Sequence, residues 1–137
     1  MAANESWVLK VPAAKSEDAQ KHFEGRLELE ATAFEVHEDM KNGVERFVLL
    51  DVRKQDAFAA EHIKGATNFC HLEIEKESVK KLSRELVYVT YCSGVGCNAS
   101  AKGAAKLAKL GFKVKELLGG LQWWKGEGYP TEKGAKG

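Results

Sequence analysis

The sequence predicts an α/β domain, with a parallel sheet covered on both faces by helices. Three observations carry this expectation. The run Arg46–Val52 (RFVLLDV) is apolar without alternation, the pattern of a strand buried from both sides. Strand-like and helix-like segments alternate along the chain, which implies parallel pairing through crossovers. Finally, Val87–Leu110 (VYVTYCSGVGCNASAKGAAKLAKL) passes from a strand through a glycine-rich loop straight into an alanine-rich helix. In such folds the ligand crevice lies at the C-terminal edge of the strands, where Asp51 and Cys92 would both sit.

The elements follow in order. Residues 1–12 read as an irregular lead-in. In the segment 13–27, Ala19, Phe23 and Leu27 lie one turn apart, which predicts an amphipathic helix. Residues 29–34 suggest a short strand and 36–42 a helix closed by Gly43. After the central strand, residues 55–62 read as helical, and 63–68 lead through Gly65 into another short strand. Residues 73–82 are expected as a charged helix with Ile74, Val79 and Leu82 turned inward. A strand at 86–91 precedes the loop, and the helix after it, 98–110, stops at Gly111 with Phe112 packed behind. Residues 113–118 form the last predicted strand, Gly119 and Gly120 a tight turn, and 121–125 a short helix limited by Gly126 and Gly128. Trp123 and Trp124 are neighbours and cannot face the same way on a helix. One is therefore expected in the core and the other at the mouth of the site. The chain divides into a lead-in and helix (1–28), one domain (29–130) and a polar tail (131–137) expected to fray.

Composition narrows the function classes. With 137 residues, 44% hydrophobic and 30% charged, the chain is sized for one domain with a real core. The 21 basic and 20 acidic residues leave a formal charge of only +1, which calls for neither nucleic acid nor an anionic membrane as partner. No apolar run reaches membrane-spanning length, and the start lacks the features of a secretory signal, so a cytoplasmic setting is expected. The three cysteines, Cys70, Cys92 and Cys97, do not form a disulfide framework and are expected as reduced thiols.

The chemistry centres on Cys92. The loop reads Ser93, Gly94, Val95, Gly96, Cys97, Asn98. Its two glycines let successive backbone N–H groups turn inward as an anion nest, and the helix N-terminus adds more donors. A thiol held there is favoured as the thiolate, the nucleophilic form. The competing reading is a structural cysteine buried at a strand end.

The chain also resembles single-domain rhodanese-like proteins, from about residue 30 to Pro130. The resemblance rests on Asp51-Val52-Arg53, then Phe58 with Glu61-His62-Ile63-Lys64-Gly65-Ala66 and Asn68. Tyr91-Cys92, Ala104-Ala105 with Leu107, Gly111-Phe112, Gly119-Gly120, Trp124, Gly128 and Pro130 follow in the same order and spacing. It implies a three-layer fold on a five-stranded parallel sheet. It also implies a sulfurtransferase in which Cys92 takes sulfane sulfur from a donor as a persulfide, while the N–H groups of residues 93–98 hold the anion. The implied partners are a small sulfur-containing donor such as thiosulfate or polysulfide and a thiol or cyanide-like acceptor, or an acceptor protein. No cofactor or metal is implied. A non-catalytic module for protein interaction, sulfur relay or redox sensing is the alternative.

Three features depart from the family pattern. The loop is longer and carries no Lys or Arg, which weakens the case for thiosulfate as donor. Cys97 adds a second thiol, read either as resolving a Cys92 persulfide or sulfenic acid or as a small core residue at the helix start. Other chemistries fit less well. A cysteine phosphatase needs an arginine in the loop, where Asn98 stands. Gly94-Val95-Gly96-Cys97-Asn98-Ala99 matches a dinucleotide fingerprint with Glu116 as the ribose acid, but late in the chain and with Asp51 and His62 unexplained. Cys70, His71, Cys92 and Cys97 lack a zinc spacing. Asp51 and Arg53 are expected to support the site, by loop N–H bonds and an ion pair, and His62 to order its turn. Lys102, Lys106 and Lys109 are expected as a solvated helix face.

Overall fold

The computed structural model describes residues 5–135. The first four residues of the lead-in and the last two of the tail lie outside the described residues. The elements are α1 (Ser16–Leu29), β1 (Glu30–Ala31), α2 (Ala33–Lys41), β2 (Phe47–Asp51), α3 (Gln55–Ala60), β3 (His62–Ile63), β4 (Thr67–Asn68), β5 (Val87–Tyr91), α4 (Ala99–Lys109), β6 (Lys113–Leu117), α5 (Gly120–Gly126) and β7 (Thr131–Glu132). Five strands form one parallel sheet in the order β1-β6-β5-β2-β4. The expected α/β fold with a five-stranded parallel sheet and flanking helices is what the chain adopts.

Side chains alternate across the sheet and feed two cores, as the period-two geometry of strands requires. On one face Leu49, Val89, Tyr91 and Leu117 pack under Ala33 and Val36 of α2, Phe58 of α3, and Leu121 and Trp124 of α5. On the other, Leu50, Val52 and Tyr88 pack against Leu107 of α4 with Phe69, Ile74, Val79 and Phe112. The absence of alternation in RFVLLDV therefore reports two real interfaces. α4 approaches closely at Gly103, where a Cβ would lie 3.0 Å from a Val52 methyl.

Four expectations need correction. α1 forms, but none of its residues is buried, and Phe23 and Leu27 remain 55% and 74% exposed. It lies beside the β1 edge of the sheet, where no further layer covers its outer face. The strand expected across 29–34 shrinks to two residues because Thr32 starts α2 with a capping box, its hydroxyl accepting the Glu35 N–H. Residues 73–82 are not an α-helix. Only the 3₁₀ turns His71–Glu73 and Ser78–Lys81 form. Ser78 explains the break: its hydroxyl accepts the Glu75 N–H and donates to the Glu73 carbonyl, replacing helical bonds. Ile74 and Val79 still face inward. The tail read as frayed begins instead with β7, antiparallel to β3. Thr131 donates to Glu61, and Glu132 lies 3.2 Å from buried His62 Nε2.

The C-terminal edge of the sheet is tied together behind Cys92. Asp51 and Tyr91 are register partners, and Asp51 is fully buried. Its carboxylate accepts the Arg53 backbone N–H and a bidentate guanidinium, with Nη2 at 2.7 Å. The same Nη2 donates to the Glu61 carbonyl, and Asn68 Nδ2 donates to the carbonyls of Asp51 and Arg53. Burial pushes the Tyr91 hydroxyl far above its ordinary pKa, so it stays protonated and accepts the Ile63 N–H. Asp51 and Arg53 thus support the loop indirectly, by fixing the strand ends. Asp51→Ala leaves a nearly buried guanidinium unpaired and should cost about 3–5 kcal/mol in urea unfolding; a loss below about 1 kcal/mol would refute this role.

Candidate functional site

The site is built where β5 hands over to α4. Continuing the alternation of β5, Cys92 points toward the α4 side, and its side chain meets the first turn of that helix. The Cys92 thiol can donate to the Ser100 hydroxyl at 3.4 Å or to the Cys97 carbonyl at 3.2 Å. The Ser100 hydroxyl in turn donates to Glu116 Oε2 at 2.5 Å, so thiol, hydroxyl and carboxylate form a chain. Together with Gly94, Val95, Leu117, Leu118, Gly119 and Gly120, these groups line a cavity of about 160 Å³.

The loop is held from below by α5. The Leu121 and Gln122 N–H groups donate to the carbonyls of Cys92 and Ser93, both at 2.9 Å. Gly119 and Gly120 make this possible with φ of +77° and +56°, conformations that L side chains rarely adopt. A Cβ on Gly120 would lie 2.3 Å from the Cys92 carbonyl oxygen. The glycine pair therefore sets the height of the Cys92 loop as well as making the predicted turn.

Not every N–H group of the run 93–98 is left open. The Cys97 N–H donates to the Gly94 carbonyl at 3.1 Å, closing a turn that folds Cys97 back over Cys92. The N–H groups of Gly94, Val95, Gly96 and Asn98 take no acceptor among the described residues and remain available at the loop rim. Val95 is 89% exposed at the loop tip.

Electrostatics act oppositely on the two thiols, against the expectation that Cys92 is favoured as the thiolate. Cys92 is 1% exposed, and burial pushes its thiol above the ordinary range; the Ser100 hydroxyl and N–H oppose this, while the Cys97 thiol adds to it. Cys97 is half-buried, and its thiol lies below the ordinary range because the Ala99 N–H donates to its sulfur. Bonds from Cys92 and Ser93 lower it further. The two thiols are thus shifted in opposite directions, Cys92 upward and Cys97 downward. The helix N-terminus thus acts first on Cys97.

Among the other predicted residues, Trp124 is buried and donates to the Pro130 carbonyl at 2.9 Å, while Trp123 is 59% exposed beside Val95 and Leu118. His62 is buried between Phe58 and Glu132, and its Nδ1 is 2.8 Å from the Phe58 carbonyl. Lys106 donates to the His71 carbonyl at 2.8 Å instead of being wholly solvated. Cys70 and His71 do not line the cavity. Two functional residues escaped sequence reasoning. Ser100 is one small residue among several in an alanine-rich helix, and Glu116 entered only as a ribose-binding acid. The sequence signal lay in the strand period, which places Glu116 beside Thr90 on the neighbouring strand.

Comparison with known proteins settles the family. The family profile Rhodanese-like domain matches residues 32–127. The chain belongs to the rhodanese-like family. The BH2092 protein from Bacillus halodurans superposes with a TM-score of 0.84 at 36% identity, covering 89% of each chain. The rhodanese-like domain of an Anabaena protein superposes with a TM-score of 0.68 at 28% identity, over 76% of this chain and 78% of that one. Among curated relatives, Thiosulfate sulfurtransferase GlpE of Coxiella burnetii is 35% identical over 86 residues, 61% of this chain and 76% of its own. An HTH-type transcriptional regulator of Mycobacterium tuberculosis, Rv0324, is 34% identical over 88 residues, 64% of this chain. The match spans only 38% of that regulator's length.

The rhodanese-like loop makes one direct prediction. Gly120→Ala combines a positive φ with a clash against the Cys92 carbonyl and should lose about 1–3 kcal/mol in urea unfolding. Gly126→Ala, with no atom within 4 Å of the new Cβ, is the control and should lose nothing measurable. Equal behaviour of the two variants would contradict the assigned role of the turn.

Proposed function

We propose that the chain is a sulfurtransferase that carries sulfane sulfur on Cys92. Family membership and the likeness to a thiosulfate sulfurtransferase support the reaction class. The observation that carries the assignment to this site is the Cys92 sulfur lining a small cavity at the start of α4, beside a second thiol able to take its proton. Cys92 passes its proton to the Cys97 thiolate and attacks the terminal sulfur of the donor. The donor S–S bond breaks, its leaving sulfur departs with the electron pair, and a Cys92 persulfide remains. An acceptor thiol, cyanide-like nucleophile or acceptor protein then takes the outer sulfur. The free N–H groups at the loop rim face the charge that develops on the donor.

The wall of the cavity bears on the donor. Among the described residues it is lined by one carboxyl side chain, Glu116, and by no Lys or Arg. A thiosulfate dianion would meet a carboxylate with no side-chain cation to offset it. Polysulfide or a hydropersulfide, which carries less charge, fits better. Three free cysteines suit a reducing, cytoplasmic setting.

A second reading, a sulfur-relay or sensing module, draws on the burial of Cys92 and on the likeness to a segment of a transcriptional regulator. Turnover separates the two. Sulfur leaving polysulfide in the presence of excess thiol acceptor, measured above the uncatalysed background, should fall at least about a hundredfold in Cys92→Ser. Polysulfide should also outperform thiosulfate. An unchanged rate in Cys92→Ser would refute the catalytic assignment, and a preference for thiosulfate would refute the donor argument.

A further inference from the structure

The loop holds two thiols where carrying sulfur requires one, and Cys97 has the better placement for a second step. The Gly94–Cys97 turn brings it back toward Cys92, whose Sγ lies 3.2 Å from the Cys97 carbonyl oxygen. It lines the same cavity and is half-buried rather than packed in either core. The Ala99 N–H and the Ser93 hydroxyl both donate to its sulfur, which orients it and supports negative charge on it. Only four residues separate the cysteines, and two of them, Gly94 and Gly96, are glycines that let the short loop close. Cys70 lines no part of this cavity and takes no part.

We propose that Cys97 discharges the Cys92 persulfide by attacking Cys92 Sγ, so that the chain reduces sulfane sulfur to hydrosulfide and stores the oxidising equivalents as a Cys92–Cys97 disulfide. The proposal rests on Cys92 as the sulfur carrier. The Cys97 sulfur forms a bond to Cys92 Sγ, and the bond from Cys92 Sγ to the outer sulfur breaks. The outer sulfur takes the electron pair and the Cys97 thiol proton and leaves as hydrosulfide. It is reduced by two electrons, and the two cysteine sulfurs together lose two. A dithiol reductant then exchanges with the disulfide and restores both thiols. The tight Gly94–Cys97 turn and the 3.2 Å approach of Cys92 Sγ to the Cys97 backbone keep Cys97 beside the inner sulfur, where attack ends in a disulfide.

Mass and sulfide measurements on the full chain test this. Reduced protein is exposed briefly to polysulfide, freed of excess, quenched in acid, and weighed intact without reductant. Wild-type protein should lose about 2 Da as the disulfide forms and release one equivalent of hydrosulfide, whereas Cys97→Ser should keep the roughly 32 Da of an added sulfur and release none. A non-reduced digest of the treated wild-type protein should contain the Cys92–Cys97 linked peptide, a readout independent of any variant. Wild-type protein that keeps its added sulfur as long as Cys97→Ser does, or whose digest lacks the linked peptide, overturns the role of Cys97 and leaves the sulfur carrier standing. Failure of both proteins to take up sulfur overturns the carrier itself, and this inference with it.

Discussion

The site depends on two hydrogen bonds, from the Leu121 and Gln122 N–H groups of α5 to the carbonyls of Cys92 and Ser93. They anchor the loop at its first two residues. The remainder is then closed by its own Gly94–Cys97 turn and by the first turn of α4. The bonds require the backbone of α5 to approach that of β5 without an intervening side chain, and only Gly120 permits this. The strand ends are fixed just as firmly on the other side, by Asp51 with Arg53 and Asn68. Cys92 therefore sits between two rigid supports while the loop tip at Val95 stays in solvent. Such an arrangement holds the Cys92 side chain in one geometry beside an open cavity.

Burial and helix-terminal hydrogen bonding act on different thiols. Cys92 lies deeper and faces the Cys97 carbonyl, so loss of its proton is disfavoured; Cys97 meets the Ala99 N–H and ionises more readily. The two thiols line one cavity and are shifted in opposite directions. This division of labour also answers the missing cations of the loop. Backbone N–H groups and hydroxyls surround the two sulfurs where Lys or Arg could stand, and Glu116 adds a carboxyl group to the cavity wall.

Much of this was legible in the sequence, for identifiable reasons. The unbroken apolar run of β2 reported burial on both faces, and the strand–loop–helix pattern located Cys92 because a glycine-rich loop after a buried strand has few other meanings. The misreadings came where local patterns compete with neighbours. Phe23 and Leu27 follow helical spacing, but no partner layer exists at that edge of the sheet. The charged segment after Glu73 has helical spacing too, yet the Ser78 hydroxyl captures its backbone. Thr131 and Glu132 look like tail residues until His62 and Glu61 supply partners far away in sequence. The acidity order of the two thiols was hidden for the same reason, since it depends on which sulfur the loop turn places nearer the Ala99 N–H.

That order is the central claim, and carbon-13 NMR of the cysteine Cβ atoms followed through a pH titration tests it most directly. The account predicts that Cys97 changes first as pH rises, below the ordinary thiol range of about 8.5, and that Cys92 follows above it. Cys92 titrating first, or both thiols titrating together at the ordinary value, would contradict it.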